Sequence, residues 1–481
     1  MAACVEQVLG WFPGGDAIAR CRATSLSFPG AALGYDDEDR ISALGDHLLR
    51  DIVSRLPVKD AARTAALASR WRHIWRSTPL VLYDAHLLPC PPDRVATAVA
   101  CVLADHPGPF RAVSISSCDF ASREPGLLAE CTHLLAVKDV QDLVLVNDPA
   151  CCDRLPTGIL HCASLRRLFL GFGRFPDSAA GPPADGFPQL LELNVVGTDM
   201  AGRDLDHLLA SSPALGTLAL AISRTCERVH LGNPSLKCVL LWHCFTEEVV
   251  ASMDSPLLER LILWKTVSGE DNAVAVKVKI DGAPKLRVLG YLDPRVHQLQ
   301  IGQNIIKPDT EVSPSTVVPT VKILALKVNF GVLEEVKMLA NILRCFPNAG
   351  KLHIESVLAA DEPAGRHTAK FWQGLPPIEC LKSRVKKIFI HEFRGEQSEM
   401  QFLKFVARSA EKVRHLLVGV TKEIFASEDK VNEVISKVTA LSRGAAWTCD
   451  QCSVLVVRPP TMENGWSFRR ASDLSVKDPF H

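Results

Sequence analysis

The chain has 481 residues and a formal net charge of zero, and hydrophobic residues make up 47% of it. This length corresponds to about three domains, and the hydrophobic fraction is sufficient for large cores. The balanced charge excludes a strongly basic nucleic-acid-binding surface, and no apolar run reaches the roughly 18 residues that a membrane-spanning helix needs.

The first 36 residues contain several Gly and Ala without a period, and we predict a flexible segment there. They lack a basic region followed by an apolar stretch, so we expect no signal peptide and a reducing compartment, the cytoplasm, the nucleus or both. The 16 cysteines are scattered singly, which is typical of free thiols. A lone CxxC at Cys449 and Cys452 has no second pair nearby, so we predict neither a metal site nor a cofactor.

Apolar residues recur at helical spacing between residues 44 and 56. We predict that Asp46 caps this helix and that Pro57 ends it. A second helix is predicted from about Lys59, and a third, short helix carries Trp71. Three short helices form a very small core, which usually needs a further surface to bury its apolar faces. The residues alone leave open whether that surface belongs to another protein or to the rest of this chain.

The same stretch closely resembles the plant F-box. The positions that carry the resemblance are Asp39, Arg40, Ile41, Ser42, Leu44, Leu48, Leu49, Ile52, Leu56, Pro57, Lys59, Asp60, Ala61, Arg63, Thr64, Leu67, Ser69, Arg70, Trp71, Ile74 and Trp75. Gly45, His47 and Ala68 depart from it, because the family has a proline, usually an acidic residue and often a serine there, respectively. The resemblance implies that residues 37–78 dock on a Skp-family adaptor held by a cullin scaffold. It also implies a set of adaptor-binding residues: Leu44, Leu48, Leu49, Ile52, Leu56, Pro57, Val58 and Trp71.

An L-x-x-L-x-L pattern repeats along the middle of the chain. Its clear copies begin at residues 165, 190, 215, 236, 258 and 286, and weaker copies begin at residues 110, 140, 321 and 349. The central leucines Leu143, Leu168, Leu193 and Leu218 are each 25 residues apart. This period predicts leucine-rich repeats over residues 105–360, each with a parallel strand and a return segment, stacked into a curved solenoid. The alternative is an ordinary α/β domain with short strands.

Alternation along each strand predicts which side chains share a face. Trp242 and Trp264 fall at equivalent positions of neighbouring repeats, with Leu240 and Ile262 beside them. Aromatic side chains on a rigid surface make good interface anchors, so we predict that these four residues bind a target protein. The competing interpretation is that another part of the chain, such as the C-terminal region, covers them.

Residues 370–423 resemble the FBD domain that follows F-box and repeat regions in plant proteins. The positions that match are Cys380, Leu381, Val385, Lys386, Ile388, Gly395, Glu399, Phe402, Leu403, Lys404, Phe405, Ala410 and Val413. Residues 424–481 are predicted to form a partly flexible extension, in which the polar, Pro- and Gly-containing stretch after residue 457 is the flexible part.

The fold expected from these patterns is α/β: a short three-helix F-box, a curved leucine-rich-repeat solenoid and a small α+β FBD region. GxSxG, HExxH and P-loop signatures are missing from the sequence, and we expect no catalytic residues. The resemblance implies a non-catalytic substrate-recognition subunit of a Skp–cullin–F-box ubiquitin ligase that binds an unknown target protein, with no nucleic acid and no membrane. The alternative function is a leucine-rich-repeat scaffold or decoy that does not engage the ligase.

Overall fold

Short apolar runs separated by turns fold into parallel strands along most of the chain. The computed structural model describes residues 41–87, 92–116, 125–147, 154–176, 186–223, 227–264, 275–358, 366–443, 453–457 and 468–480. The predicted N-terminal segment and the CxxC pair lie outside these residues. The chain divides into two compact units, residues 1–226 and 227–481. Across the ranges just given, each helix is too short or too polar to cross a membrane.

The N-terminal unit begins with three short helices and continues as alternating strands and helices. Its helices are α1 (Asp46–Val53), α2 (Val58–Thr64), α3 (Ser69–Ser77), α4 (Pro92–Asp105), α5 (Pro125–Val137) and α6 (Gly202–Ala210). Its strands are β1 (Leu80–Tyr83), β2 (Phe110–Ile115), β3 (Asp142–Val146), β4 (Arg167–Arg174), β5 (Glu192–Asp199) and β6 (Thr217–Ala221). The described part of the unit also contains 3₁₀ turns at Asp84–Leu87 and Thr157–His161.

These six strands lie side by side in chain order, each parallel to the next. Leu143 pairs with Leu168, Leu168 with Leu193, and Leu193 with Leu218, so the constant 25-residue interval aligns the central leucines in one row. All four leucines are buried. Burying a leucine side chain stabilises the fold by about 1.5–3 kcal/mol, so this row is a main support of the unit.

The described residues of the C-terminal unit form two sheets. Its strands are β7 (Arg228–His230), β8 (Cys238–Trp242), β9 (Glu248–Ser252), β10 (Arg260–Trp264), β11 (Val276–Asp281), β12 (Val288–Leu292), β13 (His297–Ile301), β14 (Asn304–Ile305), β15 (Ile323–Val328), β16 (Lys351–Ser356), β17 (Lys387–Phe393), β18 (His415–Val420) and β19 (Ser453–Val457). Its helices are α7 (Leu333–Cys345), α8 (Arg366–Gly374), α9 (Glu379–Ser383), α10 (Gln397–Ser409), α11 (Lys422–Phe425), α12 (Glu428–Arg443) and α13 (Phe468–Ser472), with a 3₁₀ turn at Pro314–Thr316.

The larger sheet of this unit has the order β8-β10-β12-β15-β16-β17-β18-β19, and its adjacent strands run parallel. Val239, Leu261, Leu289, Leu324 and Leu352 continue one buried row across the repeats. Ile388 of β17 pairs with Leu352, so the strands of the FBD-like region extend the same sheet. The ten predicted repeat strands are all present, and the expected α/β, leucine-rich-repeat type of fold is confirmed.

Several repeat strands are entered through a tight turn. The Leu190, Leu215 and Leu258 N–H groups donate to the carbonyl oxygens of the residues three positions earlier, at 3.0–3.1 Å. A proline follows that carbonyl residue in each turn: Pro188, Pro213 and Pro256. Proline is favoured at this second position of a turn because its fixed φ matches the turn geometry. The repeated proline therefore belongs to the turn rather than to the first residue of the strand.

The smaller sheet, with the order β14-β13-β11-β9-β7, is a feature that the repeat pattern did not predict. β7, β9, β11 and β13 are parallel, and they form return segments that lie between the main strands in the sequence. Val276, Val278 and Ile280 alternate with half-exposed lysines along β11 and are buried. A return segment with this period-two alternation folds as a strand because it has one apolar face.

Candidate protein-interaction surfaces

The first candidate surface is one side of helix α1. Leu49 and Val53 lie on the buried side of this helix. With Ala61 and Ile74 they form the core of the three-helix module. Leu48 and Ile52 are four residues apart and therefore lie on one face. They are 44% and 38% exposed, respectively. An apolar pair that stays exposed on an amphipathic helix is suited to binding another protein.

The eight predicted adaptor-binding residues are not equally accessible. Leu49, Val58 and Trp71 are buried within the N-terminal unit, so they have little surface to offer a partner and act as its core. Leu44, Leu56 and Pro57 are half-buried, and Leu48 and Ile52 are exposed. Two further apolar residues of the module, Ile41 and Leu67, are also exposed although they were not predicted as contacts.

Arg70 fixes the chain that leads into α1. Its Nε and Nη2 atoms donate to Asp46 Oδ1 at 2.9 and 2.6 Å, and it also donates to the backbone carbonyls of Ser42 and Leu44. The hydrogen bond from Arg70 lowers the pKa of Asp46. The prediction that Asp46 is the N-cap is wrong, because the N-cap is Gly45 and Asp46 is the first helical residue. Its carboxylate binds Arg70 instead of the helix N–H groups.

Helix α3 of the module packs on the first repeats through its C-terminal part. The Trp75 ring lies edge-on to His106 with the ring centroids 5.0 Å apart, and His106 lies edge-on to Phe110 at 5.2 Å. His106 Nε2 is 3.2 Å from the Thr78 carbonyl oxygen. The module therefore buries one face against its own chain through Trp75 while Leu48 and Ile52 stay exposed. The interpretation that the rest of this chain covers the module holds for the Trp75 face, and a surface of another protein stays a prediction for the Leu48 and Ile52 face.

The second candidate surface is the tryptophan face, which we define as Cys238, Leu240 and Trp242 of β8 with Arg260, Ile262 and Trp264 of β10. Trp242 pairs with Trp264, and Leu240 pairs with Ile262, as their repeat positions predict. Leu240 and Ile262 are buried, and the two tryptophans are half-buried. Side chains on a strand face of this kind are buried only when something lies over them.

Residues 468–480, which we call the C-terminal segment, lie over the tryptophan face. The Phe468 ring packs edge-on against Trp242 at 5.8 Å between centroids, and Cys238 Sγ is 3.6 Å from the Ala471 carbonyl oxygen. The Arg260 guanidinium donates to the carbonyl oxygens of Ala471, Asp473 and Val476. The competing interpretation, coverage by the C-terminal region, therefore describes this structure.

The far end of the C-terminal segment is held by a charged cluster. The Asp478 carboxylate is 2.9 Å from Lys351 Nζ and 3.2 Å from His353 Nε2. Burial alone would raise the pKa of Asp478, but the hydrogen bonds and charges of His353 and Lys351 outweigh burial and hold it well below its usual range. The Phe480 ring packs on Tyr291 and His353, with centroids 5.1 and 5.3 Å apart.

Flexibility was expected for this tail because it is polar and contains Pro and Gly, yet the described part is anchored. Phe468 and Phe480 are its apolar anchors, and both are buried. Arg260 and the Asp478 cluster provide partners for its polar groups. Two aromatic residues twelve positions apart carry no helical or strand period, so periodicity in the sequence could not reveal the contact.

The strand face of the N-terminal unit carries a ladder of charges. Asp142 pairs with Arg167, and Arg167 pairs with Glu192, across neighbouring strands. Arg167 donates to both Asp142 oxygens at 2.8 and 2.6 Å, and these bonds raise the pKa of Arg167. Burial raises the pKa of Glu192. A depression of ≈ 270 Å³ lies over this ladder.

In the FBD-like region, Glu399 joins the ends of two strands to helix α10. Its Oε1 accepts a hydrogen bond from Ser356 Oγ at 2.5 Å, and its Oε2 accepts from the N–H groups of Arg394 and Glu396 at 3.1 and 2.9 Å. Burial raises the pKa of Glu399, and the hydrogen bonds oppose that rise. One buried carboxylate thus satisfies the backbone between β17 and α10 and fixes the end of β16.

Comparison with known proteins assigns the three regions. A family model described as "F-box domain" matches residues 41–83. A second, described as "FBD-associated F-box protein At5g56370, LRR repeats", matches residues 128–354. A third, described as "FBD", matches residues 373–412. The chain is 30% identical over 255 residues to the F-box/LRR-repeat protein At3g26922 of Arabidopsis thaliana, covering 51% of this chain and 76% of that protein. This chain is an F-box/FBD/LRR-repeat protein.

Further relatives agree with this family. The F-box/FBD/LRR-repeat protein At1g13570 of Arabidopsis thaliana is 23% identical over 393 residues, which cover 77% of this chain and 88% of that protein. The F-box/FBD/LRR-repeat protein At5g22660 of the same plant is 47% identical over 53 residues, 11% of this chain and 12% of that protein. The predicted resemblance to plant F-box proteins with leucine-rich repeats and an FBD domain is confirmed, and the three matched models describe no catalytic domain.

Proposed function

We propose that this F-box/FBD/LRR-repeat protein is the substrate-recognition subunit of a Skp–cullin–F-box ubiquitin ligase. F-box domains in general bind Skp-family adaptors, and the F-box match covers α1 to α3 and β1. The observation that carries the proposal is the exposure of Leu48 and Ile52 on one face of α1, beside the face that forms the module core. The repeat strands then hold the target protein.

The proposed role is proximity rather than covalent chemistry. The F-box binds the adaptor and, through it, the cullin scaffold, while a separate conjugating enzyme carries the ubiquitin thioester. Holding target lysines near that thioester raises their effective concentration and so accelerates transfer. No residue of this chain takes part in bond formation, and we place the complex in the cytoplasm, the nucleus or both.

The alternative, a scaffold or decoy that does not engage the ligase, was motivated by Gly45 and His47. Gly45 has φ −67° and ψ 152°, which is the backbone geometry that a proline would adopt. His47 is exposed and lies beside Gly45 rather than in the module core. Neither departure disturbs the helix that carries Leu48 and Ile52, and this supports the ligase role over the alternative.

Capture of the full chain by an immobilised Skp-family adaptor tests the proposal. We expect wild type to bind and the double substitution Leu48→Arg, Ile52→Arg to bind at least about 100-fold more weakly, because two apolar contacts of about 1.5 kcal/mol or more each are lost. Val137→Arg is a matched control, since Val137 is 63% exposed on α5 of the same unit. Thermal unfolding of each variant checks that the fold is retained.

Two results would contradict the proposal. If wild type fails to bind under conditions in which other F-box proteins bind, the scaffold alternative is correct. If the Leu48, Ile52 variant binds as tightly as the Val137 control, the α1 face is not the adaptor surface.

A further inference from the structure

The C-terminal segment is attached in the manner of a bound peptide rather than as part of a continuous core. Only a few of its residues are buried: Phe468, Ala471, Asp478, Pro479 and Phe480. The turn between its two ends, residues 473–475, is exposed. Segments with few buried apolar contacts open locally at a lower free-energy cost than the unfolding of the whole domain.

Arg260 provides the central contact. Its side chain is 4% exposed, and it donates to three backbone carbonyls of the C-terminal segment: those of Ala471, Asp473 and Val476. These bonds are to backbone atoms, so they require a turn of chain and do not depend on its side chains. Arg, Trp and Tyr are the residues enriched in the anchors of protein interfaces, and Arg260 lies on the same face of β10 as Trp264, four residues before it.

The end of the C-terminal segment provides the sequence-dependent contacts. Asp478 binds Lys351 and His353, and Phe480 packs on Tyr291 and His353. The imidazole of His353 is fully buried and stacks on Phe389 with the ring centroids 4.4 Å apart. The sheet therefore presents a lysine ammonium group, an imidazole and a ring surface that together fit an acidic residue followed, two positions later, by an aromatic residue.

We propose that the C-terminal segment is an internal ligand that occupies the target-binding face, and that the target protein presents a segment of the same chemistry. That segment has a turn whose carbonyls bind Arg260, followed by an acidic-x-aromatic sequence that binds Lys351, His353 and Tyr291. This inference rests on the proposed function, because it assigns the position and the partner class of target binding by the repeats. A tethered ligand has a high effective concentration, so it admits only targets that bind well.

A peptide with the sequence of residues 468–480 is the probe. The protein is the full chain carrying Asp478→Ala and Phe480→Ala, which removes the contacts that hold the end of its own segment to Lys351, His353 and Tyr291. We expect this variant to bind the fluorescent peptide at least about tenfold more tightly than wild type, whose face is occupied. Adding Arg260→Met to the variant should abolish binding. A peptide with the same two alanine substitutions is the matched control and should not bind.

Binding that is equal for wild type and the variant, or absent from a variant that still unfolds cooperatively, contradicts the inference. If the variant does not fold, hydrogen exchange of wild type decides. The N–H groups of Asp473 and Val476, bonded to the Arg469 and Asp473 carbonyls, should exchange at least about 100-fold faster than those of β10, through local opening. If the Asp473 and Val476 N–H groups exchange at the same rate as those of β10, the segment belongs to the core and the inference is overturned.

These measurements involve neither the Skp adaptor nor ubiquitin. A failure of peptide binding leaves adaptor capture unaffected, and a failure of adaptor capture leaves peptide binding unaffected. The two proposals can therefore fail separately.

Discussion

Gly45 is the residue at which this F-box departs from the proline of the family pattern. It is the N-cap of α1, and its carbonyl oxygen accepts the N–H groups of Leu48 and Leu49 at 3.0 and 3.1 Å. Its φ of −67° lies in the range to which a proline ring confines the backbone. The folded geometry is thus the one that proline would give, and glycine differs chiefly by leaving the unfolded chain more conformational freedom.

Gly45→Pro should therefore stabilise the protein by about 0.4–1 kcal/mol, because it removes freedom from the unfolded state and requires only that the exposed His47 ring, 3.1 Å from the position of the new Cβ, turn aside. Urea unfolding monitored by circular dichroism measures the change, and adaptor capture should be unchanged or stronger. Gly302→Pro is the control, since Gly302 has φ +57°, which proline cannot adopt, and has open space where a Cβ would lie. Destabilisation by both substitutions would show that the approach to α1 needs glycine.

At the scale of the secondary-structure elements, the leucine pattern predicted the main strands because it encodes two constraints at once. Leu165 and Leu190 close the entry turns with their N–H groups, and Leu168 and Leu193, three residues later, are buried in the sheet. A residue type that serves both the turn and the core recurs at a fixed interval, and such an interval is visible in a single sequence. The register of Trp242 with Trp264 followed from the same leucine pattern, although this repeat is 22 rather than 25 residues long.

The rest of the candidate site could not be predicted because it depends on contacts between residues far apart in the sequence. Arg260 and Ala471 are 211 positions apart, and no local pattern marks either of them as a partner of the other. Buried Leu49 and exposed Leu48 are adjacent residues of one apolar run, so only the packing of α1 decides which of them stays exposed. Sequence periodicity predicted the elements, and the structure assigned their faces.

In two strand-to-helix connections of the C-terminal unit, a glutamate of the helix accepts hydrogen bonds from the backbone of the connection. Glu335, the third residue of α7, accepts a hydrogen bond from the Asn329 N–H after β15 at 2.7 Å, and Glu399, the third residue of α10, accepts those of Arg394 and Glu396 after β17. A carboxylate in the first turn of a helix satisfies N–H groups that the helix cannot satisfy itself. The match of Glu399 to the FBD pattern is explained by this contact.

Glu399→Ala should destabilise the protein by about 2–4 kcal/mol, since it leaves several buried donors without their acceptor. Ser356→Ala removes one donor and leaves the carboxylate bound to the backbone, so a loss of about 1 kcal/mol is expected. Glu399→Gln keeps one oxygen acceptor and should lie between them. Urea unfolding of the three variants measures the order, and an equal loss for Glu399→Ala and Ser356→Ala would show that the backbone contacts contribute nothing.

At the scale of the whole molecule, each unit contains a buried imidazole that resists protonation. Burial lowers the pKa of His106 in the N-terminal unit. Burial lowers the pKa of His297 in the C-terminal unit to about 4, with a further lowering by Lys327 that is opposed by Asp293. The Nδ1 atom of His297 accepts a hydrogen bond from the Asp293 N–H at 2.9 Å, and a protonated ring could not accept it. Acid should therefore destabilise both units.

The sign for His297 follows from where its proton binds. Between the unfolded-state pKa of 6.5 and the folded-state pKa of about 4, the unfolded chain binds a proton that the folded chain does not. The full contribution of His297 to the free energy of unfolding is therefore present above pH 6.5. It falls by about 3 kcal/mol as the pH decreases toward 4. The chain has a sequence pI of about 7.2, so acid also adds general positive charge, which a variant must separate from the local effect.

His297→Gln separates the two contributions, because glutamine offers an oxygen acceptor to the Asp293 N–H and does not titrate. The free energy of unfolding of wild type should fall more steeply than that of His297→Gln between pH 6.5 and 4, and the difference between them should change by about 3 kcal/mol over that range. His47→Gln is the matched control, because it makes the same histidine-to-glutamine change at an exposed position. Parallel curves for wild type and His297→Gln would mean that His297 is protonated in the folded protein and that its burial does not limit acid stability.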